Sequence, residues 1–482
     1  MQLNKSLSIF LLFTFCFLIF LTVMAVIPVN VTGPFDARTD KPAPGIRLEY
    51  SPVGAVLEPV TAPAQIIVLA PDMWSAAISI LIWSLALIAC ISAVKRLSRN
   101  YWRVNREIIT GVLASVSSGL FVLILYSTFT AMVRIPNWRA VVEDPDIVLA
   151  ELQTHTFGSH DGLISARDNL RWHGQRGCAV VAITEHDSPE GSLKAADLAE
   201  SDESLPAVLP GVETGFDNFD YVIAITSKEQ FLQNKFDIRQ KPFVPWFRRA
   251  YQGVVLVLED SIRAERVEQV VATGIDGFDV ANDGHPSTSV KLRKAILSAA
   301  AHHHLPLVAW TDWHGIGGIL RSWTAFRIPG AAALSRQQRA TAVLDALRRH
   351  DCSNITPLTI GRIGRVTPAR VLLAPFIESG RYALSLSAMR LLVWWIWAGA
   401  MFLFVTALMS LKINPWKTLL GTLQTAMGIA ILVSCGRLFI AYATGEATYF
   451  FPVYIGLIAS AVGIAAVLFG AFDIYFAVTR KQ

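Results

Sequence analysis

Glu151–Leu152–Gln153–Thr154–His155–Thr156–Phe157–Gly158–Ser159–His160–Asp161–Gly162 is the stretch whose reading decides the fold. It overlaps an apolar run, Ile147 to Leu152, that reads as a buried strand. Gln153 and His155 are two apart, so at a strand end they point to the same side. His160 and Asp161 follow in a turn bounded by Ser and Gly, ahead of a helical stretch. An echo, Thr184–Glu185–His186–Asp187, closes a second apolar run, Cys178 to Ile183. One strand ending in His would be read as structural. Two that end in His and carboxylate groups point to a metal site shared at one end of a sheet.

The pattern continues along the chain. Ala207 to Val212 is closed by Glu213, and Gly253 to Leu258 by Glu259 and Asp260. Gly277 to Asp283 carries Asp279 and Asp283, and Leu305 to Ala309 leads into Trp310–Thr311–Asp312–Trp313–His314. Helical patterns lie between them at Ile164 to His173, Pro189 to Glu200, Arg263 to Thr273, Val290 to His303 and Gln337 to His350. Strand–helix alternation with near-continuous apolar strands predicts a parallel sheet wrapped by helices. In such folds ligands gather at the carboxyl ends of the strands. With Tyr221 to Ile225 added, about seven strands are expected, enough to close a barrel.

These segments resemble the polymerase and histidinol phosphatase (PHP) family, whose opening motif is roughly D-L-H-x-H-T-x-x-S-D-G. The family's T-D-H is similar to Thr184–Glu185–His186, its G-x-E to Gly211–Val212–Glu213, and its closing D-x-H to Asp312–Trp313–His314. The resemblance covers Asp144 to roughly Arg349. It implies a distorted (β/α)7 barrel, inserted here between transmembrane helices. It also implies one to three divalent ions (Zn, Mn or Fe) and hydrolysis of phosphate esters. The implied ligands are His155, His160, Asp161, His186, Glu213, Glu259, Asp260, Asp279, Asp312 and His314, with Asp312 or His314 also handling a proton. Arg321 and Arg327 lie beyond the last motif and are candidate phosphate contacts. Two departures stand out. Gln153 replaces the first His of H-x-H, and a neutral amide is a poorer ligand for a transition metal than imidazole. Glu259–Asp260 stands where the family has His–Pro, a change that favours a harder ion such as Mn.

Composition sets the wider frame. Apolar residues make up 53% of the 482 and charged ones only 16%, so the chain must contain membrane spans. Six runs qualify, each about 20 residues long: Leu7 to Ile27, Trp74 to Val94, Ile108 to Val133, Leu391 to Leu411, Thr418 to Ala441 and Pro452 to Phe472. The first is longer than a signal-peptide core and reads as an uncleaved anchor. Residues 1–143 then form an N-terminal membrane region with an outer segment over 28–71. The barrel takes 144–350, a connector 351–390, and a second membrane region 391–482. The loop between spans two and three holds Lys95, Arg96, Arg99, Arg103 and Arg106, and the turn between spans four and five holds Lys412 and Lys417. This placement predicts cytoplasmic termini and a barrel outside the cell membrane.

Other features have plainer readings. Cys16, Cys90 and Cys435 lie in spans, Cys178 opens a buried strand, and a pair with Cys352 is open. His302–His303–His304 ends a helical pattern, where the macrodipole favours His. His285 is a weaker metal candidate. Arg437, near the end of span five, reads as a snorkelling side chain. The net charge of +5 forms no basic stripe interleaved with aromatics, so nucleic acid is not an expected partner. The expectation is a membrane-anchored, metal-dependent phosphoesterase acting on a phosphorylated small molecule. Its rivals are a degraded barrel that only binds ligand and a transporter, the latter disfavoured by spans nearly free of ionisable residues.

Overall fold

A computed structural model describes residues 5–29, 31–70, 73–99, 106–216, 219–283, 289–318, 320–361 and 367–479. In chain order its strands are β1 (Phe35–Asp36), β2 (Lys41–Pro42), β3 (Ile46–Tyr50), β4 (Trp138–Val142), β5 (Ile147–Thr154), β6 (Val180–His186) and β7 (Ala207–Phe216). There follow β8 (Phe219–Ile225), β9 (Val254–Val257), β10 (Gly277–Asn282), β11 (Leu307–Trp310), β12 (Ser322–Arg327) and β13 (Ile355–Thr359). Eleven of them make one curled sheet in the order β11-β10-β9-β8-β7-β6-β5-β12-β13-β1-β2, while β3 and β4 pair separately.

The alternation read from the sequence holds at β5–β6, β6–β7, β9–β10 and β10–β11, all parallel. Helices Ala166–Gln175 and Glu190–Ser201 form the first two crossovers, and Val290–His303 the last. The expected all-parallel sheet is not what forms, because β8 runs antiparallel to both neighbours. Only residues 217 and 218 separate β7 from β8, far too few for a parallel crossover. Arg263 to Thr273 is also less helical than its pattern, forming a 3-10 turn and the short helix Val267–Val271. The strand β13 falls within the stretch read as a connector, and it pairs with β12 and β1 in the main sheet.

Residue alternation sorts the two faces. Val148, Ala150, Leu152, Val180, Ala182, Leu209, Leu256 and Val308 line the inside and pack on Val343, Leu344 and Leu347 of helix Arg336–Arg348. That helix plugs the end where the strands begin, since Arg336 bonds to Leu205 O (2.5 Å) just before β7 and Arg348 to Gln252 O (2.6 Å) just before β9. Leu149, Val181, Ile183 and Val208 point outward to the crossover helices. At the opposite end the sheet curls back on itself. Thr154 forms a parallel bridge with Trp313, His155 N–H donates to Trp313 O (2.9 Å), and Asp312 N–H donates to Gln153 O (3.0 Å). The first half of β5 pairs with β12 instead, so closure is confined to the mouth.

Among the described residues, five helices are long and apolar enough to cross a membrane: Ser75–Ser98, Arg106–Met132, Ala388–Ser410, Pro415–Ala443 and Phe451–Thr479. The helix Lys5–Ala25, where the first expected span lies, is 21 residues long and apolar over Leu11–Ala25. The 28–71 segment is ordered where described, supplying β1–β3 and the helices Pro52–Val56 and Glu58–Val68. Phe157 and Leu163 pack with Leu438, Ala441 and Ala447. The loop carrying His160 and Asp161 therefore rests on the turn joining the last two long helices.

Candidate metal centre

A bulge aims the first ligand. The β5–β6 register shifts between Glu151 and Thr154, which puts one extra residue into the strand. Leu152 still faces the interior core, yet Thr154 now points outward and accepts a bond from Asn169 Nδ2 (2.9 Å). Gln153 and His155 are thereby turned together into the mouth. On the closing strand Asp312 sits at φ 50°, a left-handed conformation unusual for a residue with a Cβ, held by the backbone bonds across to β5.

Two groups of potential ligands result, each with its donor atoms within 4.8 Å of one another: His155 with Glu213 and Asp312, and His155 with Asp161, His186 and His314. His155 Nε2 lies 3.0 Å from Glu213 Oε2 and 3.1 Å from Asp312 Oδ1. Asp161 Oδ2 lies 3.3 Å from His186 Nε2 and 3.2 Å from His314 Nε2. The His155 ring is stacked between the other two, 4.6 Å from His186 and 4.2 Å from His314.

The layer behind these side chains sets which nitrogen faces the centre. Ser159 Oγ–H donates to Glu185 Oε2 (2.6 Å), leaving its lone pairs for His186 N–H (3.1 Å) and His155 Nδ1–H (3.0 Å). His314 Nδ1–H donates to Asp312 O (2.8 Å). In both rings Nε2 is left to point at the carboxylates, the arrangement a metal ligand requires. Thr156 adds two further donors to Glu185. Gly158 makes room for it, since a Cβ there would stand 2.8 Å from Glu185 Oε1. Glu185, Ser159 and Thr156 were not singled out in the sequence, although Glu185 lies inside the T-E-H echo.

The electrostatics follow from the geometry. Burial pulls the His155 pKa down, but the Asp312 and Glu213 carboxylates outweigh it and raise it well above the usual imidazole value. Burial would raise Asp161, yet His186 and His314 hold it well below the ordinary carboxylate range. Beneath the mouth, burial pushes Glu151 up to about 8 despite backbone donors from Thr311 and Gln153, and His173 down to about 3. That lower pair is therefore neutral at pH 7.

The donor set fits a divalent cation. Asp161 Oδ1, His186 Nε2 and Gln153 Oε1 are buried without a hydrogen-bond partner, an expensive state for protein atoms unless something else meets them. Three stacked imidazoles among three carboxylates offer the mixed N/O ligation suited to Zn, Mn or Fe. Gln153 behaves differently from an imidazole in its place. Its Nε2 donates to Glu213 Oε2 (2.6 Å) and Asp312 Oδ1 (2.9 Å), bridging two ligand carboxylates.

The remaining expected residues are spread more widely. His160 is exposed at the rim, 3.8 Å from Asp161 and beside the His186 ring, and belongs to neither group. Asp279 points inward from β10, and its Oδ1 accepts Glu259 N–H; among the described residues neither joins a ligand group. The Asp260 side chain and His285 lie outside the described residues. Arg321 immediately precedes β12, and its N–H donates to Asp283 (2.6 Å). Arg327 pairs with Asp144 (2.8 Å) opposite Ile147, at the far end of β5 from the mouth. His302 and His303 occupy the last turn of their helix, as expected, and all five cysteines are free.

No family model matches the chain, and no curated protein matches it. Solved structures similar to it include a candidate metal-dependent phosphoesterase from Bifidobacterium adolescentis, at 17% identity and TM-score 0.28, covering 36% of this chain and 89% of that one. Another is an amidohydrolase from Chromobacterium violaceum with bound sulfate and no metal, at 13% identity and TM-score 0.28, covering 40% and 96%. A third is PsfC from Pseudomonas syringae, at 14% identity and TM-score 0.30, covering 50% and 99%. Likenesses this slight carry no inference about the present chain.

Proposed function

We propose that this chain is a membrane-anchored, metal-dependent phosphoesterase with a barrel of the polymerase and histidinol phosphatase type. The observation that supports it is the convergence of His155, Asp161, His186, Glu213, Asp312 and His314, drawn from four separate chain segments, on one mouth. A divalent ion held by these residues would supply a water acidified to near neutrality as nucleophile and would offset charge on phosphoryl oxygens. The chain's own residues orient that chemistry. Ser159 and the Asp312 carbonyl hold the His155 and His314 rings with Nε2 forward. Gln153 keeps the Glu213 and Asp312 carboxylates side by side. Asp312 or His314 would carry a proton to the leaving alcohol. The basic loops at Lys95–Arg96 and Lys412–Lys417 support an orientation with the barrel outside the cytoplasm.

A second reading, a barrel that binds but does not hydrolyse, is favoured by Gln153, whose amide stands where the family has a ligand. Elemental analysis of the full chain in detergent, with turnover of p-nitrophenyl phosphate and bis-p-nitrophenyl phosphate, separates the two. Bound Zn, Mn or Fe with hydrolysis that His155→Ala abolishes is expected. Bound metal without turnover of either ester removes the enzyme and leaves the binding module.

A further inference from the structure

Behind the ligand loop, on the side of the last spans, lies a cavity of about 590 Å³. Phe157, Leu163 and Gly315 form its barrel wall, and Val433, Arg437 and Leu438 of helix Pro415–Ala443 form its membrane wall. Arg437 lies six residues before the end of that helix, within about 9 Å of its terminus along the axis. A cation in a membrane span is costly and needs a partner or a polar cavity. Among the described residues no carboxylate lies within ion-pair distance of Arg437.

Arg134 faces the same cavity. Its Nε and Nη2 donate to Gly315 O and Leu163 O, both at 2.9 Å, which ties it to the segments bearing His314 and Asp161. Burial lowers its pKa to about 10, with Asp168 opposing and Arg437 adding to the fall. The two guanidinium groups are thus near enough to repel, a situation a phosphate relieves by accepting from both. Asp168 and Glu446 also line the cavity. Burial, with Asp168 adding, raises the Glu446 carboxyl, so a cation near this acidic pair would relieve it as a phosphate relieves the arginines.

We propose that this cavity binds a zwitterionic phosphodiester lipid, its phosphate between Arg437 and Arg134, its ammonium toward Asp168 and Glu446, and its acyl chain along Val433 and Leu438. Two cations and two carboxylates match a headgroup of no net charge better than a phosphomonoester dianion, which the acids repel. The apolar helical wall excludes free phosphate as the natural occupant. The site is separate from the metal centre, and nothing in it depends on hydrolysis.

Native mass spectrometry of the full chain, titrated in detergent with dihexanoyl phosphatidylethanolamine, tests it. The controls are dihexanoyl phosphatidylglycerol, dihexanoylglycerol and inorganic phosphate. The ethanolamine lipid is expected to bind at one equivalent, at least tenfold tighter than dihexanoylglycerol or phosphate and several-fold tighter than the glycerol lipid. Arg437→Gln should erase the preference over dihexanoylglycerol, Glu446→Gln the preference over phosphatidylglycerol, and Val433→Trp should block the site with every charge retained. Unchanged metal content in these variants shows that the fold survives. Equal binding of dihexanoylglycerol, or full affinity in Arg437→Gln or Val433→Trp, overturns the proposal.

Discussion

Two of the buried polar clusters among the described residues are built on opposite rules. In one, Glu58, Gln65 and Arg390 are each at most 1% exposed and join the helix Glu58–Val68 to the helix Ala388–Ser410. Arg390 bonds Glu58, Gln65 Oε1 (2.6 Å) and Ser385 O (2.9 Å), while Tyr382 O–H donates to Glu58 (2.7 Å). The guanidinium lies 4.2 Å over the Tyr50 ring, and burial raises the Tyr50 and Tyr382 hydroxyls. One cation meets one anion, and although Arg390 Nε makes no hydrogen bond, the charges cancel within the cluster. In the metal mouth, three carboxylates and three imidazoles leave buried atoms unmet. The first cluster supplies its own counter-charges, as structural polar networks must. The second leaves a place for a charge from outside.

Breaking the closed cluster should therefore have the largest effect. Glu58→Ala strands a buried guanidinium and is expected to cost about 3–5 kcal/mol. Glu58→Gln with Arg390→Met together should recover much of it, as read by thermal unfolding in detergent. The mouth should respond to metal instead. Chelation should lower the melting temperature by the equivalent of about 2.7 kcal/mol when the ion was held at a hundredfold over its dissociation constant. In chelated protein, Asp161→Asn should cost less than Glu58→Ala, since it removes contacts to His186 and His314 but strands no fully buried cation; a loss equal to that of Glu58→Ala would erase the contrast.

Smaller effects sharpen it. Ser159→Ala removes the bond that holds His155 Nδ1 and should weaken metal binding by about 10- to 100-fold, measured by competition with a chelating dye. Gln153→His should raise the metal content or affinity, since imidazole replaces a bridging amide. A separate, pH-dependent effect belongs to Glu151, raised to about 8 by burial. A carboxyl raised in the folded state favours folding at pH below its unfolded value of about 4.3, and that support is lost as pH climbs toward 8. The melting temperature of wild type relative to Glu151→Gln should fall across that window and level off above it. A flat difference would show that Glu151 does not titrate there.

Much of the mouth was legible because its chemistry sits at strand ends, where hydrophobic period and residue type are both local signals. His155, His186, Glu213, Asp312 and His314 each close an apolar run, and the structure brings all five together. His160 and Asp161 share a turn, yet only Asp161 reaches the centre, because adjacent residues on a loop face different ways. Arg327 was near the last motif in sequence but lies at the other end of β12, since that strand runs antiparallel to β5. The reversal of β8 was hidden for a related reason: an apolar strand reads the same in either direction.

By itself, then, the sequence determined the apolar strands with their ligand-bearing ends, the long apolar helices, and the residue types able to hold a cation. Those properties belong to a few consecutive side chains. Tertiary structure alone decided the β5 bulge that turns Gln153 and His155 inward, the Ser159–Glu185 layer that holds the His155 ring, and the Glu58–Arg390 contact across 332 positions. Each of these is a meeting of groups whose partners lie outside any local window. Their energies depend on burial and distance, and no period in the chain encodes either.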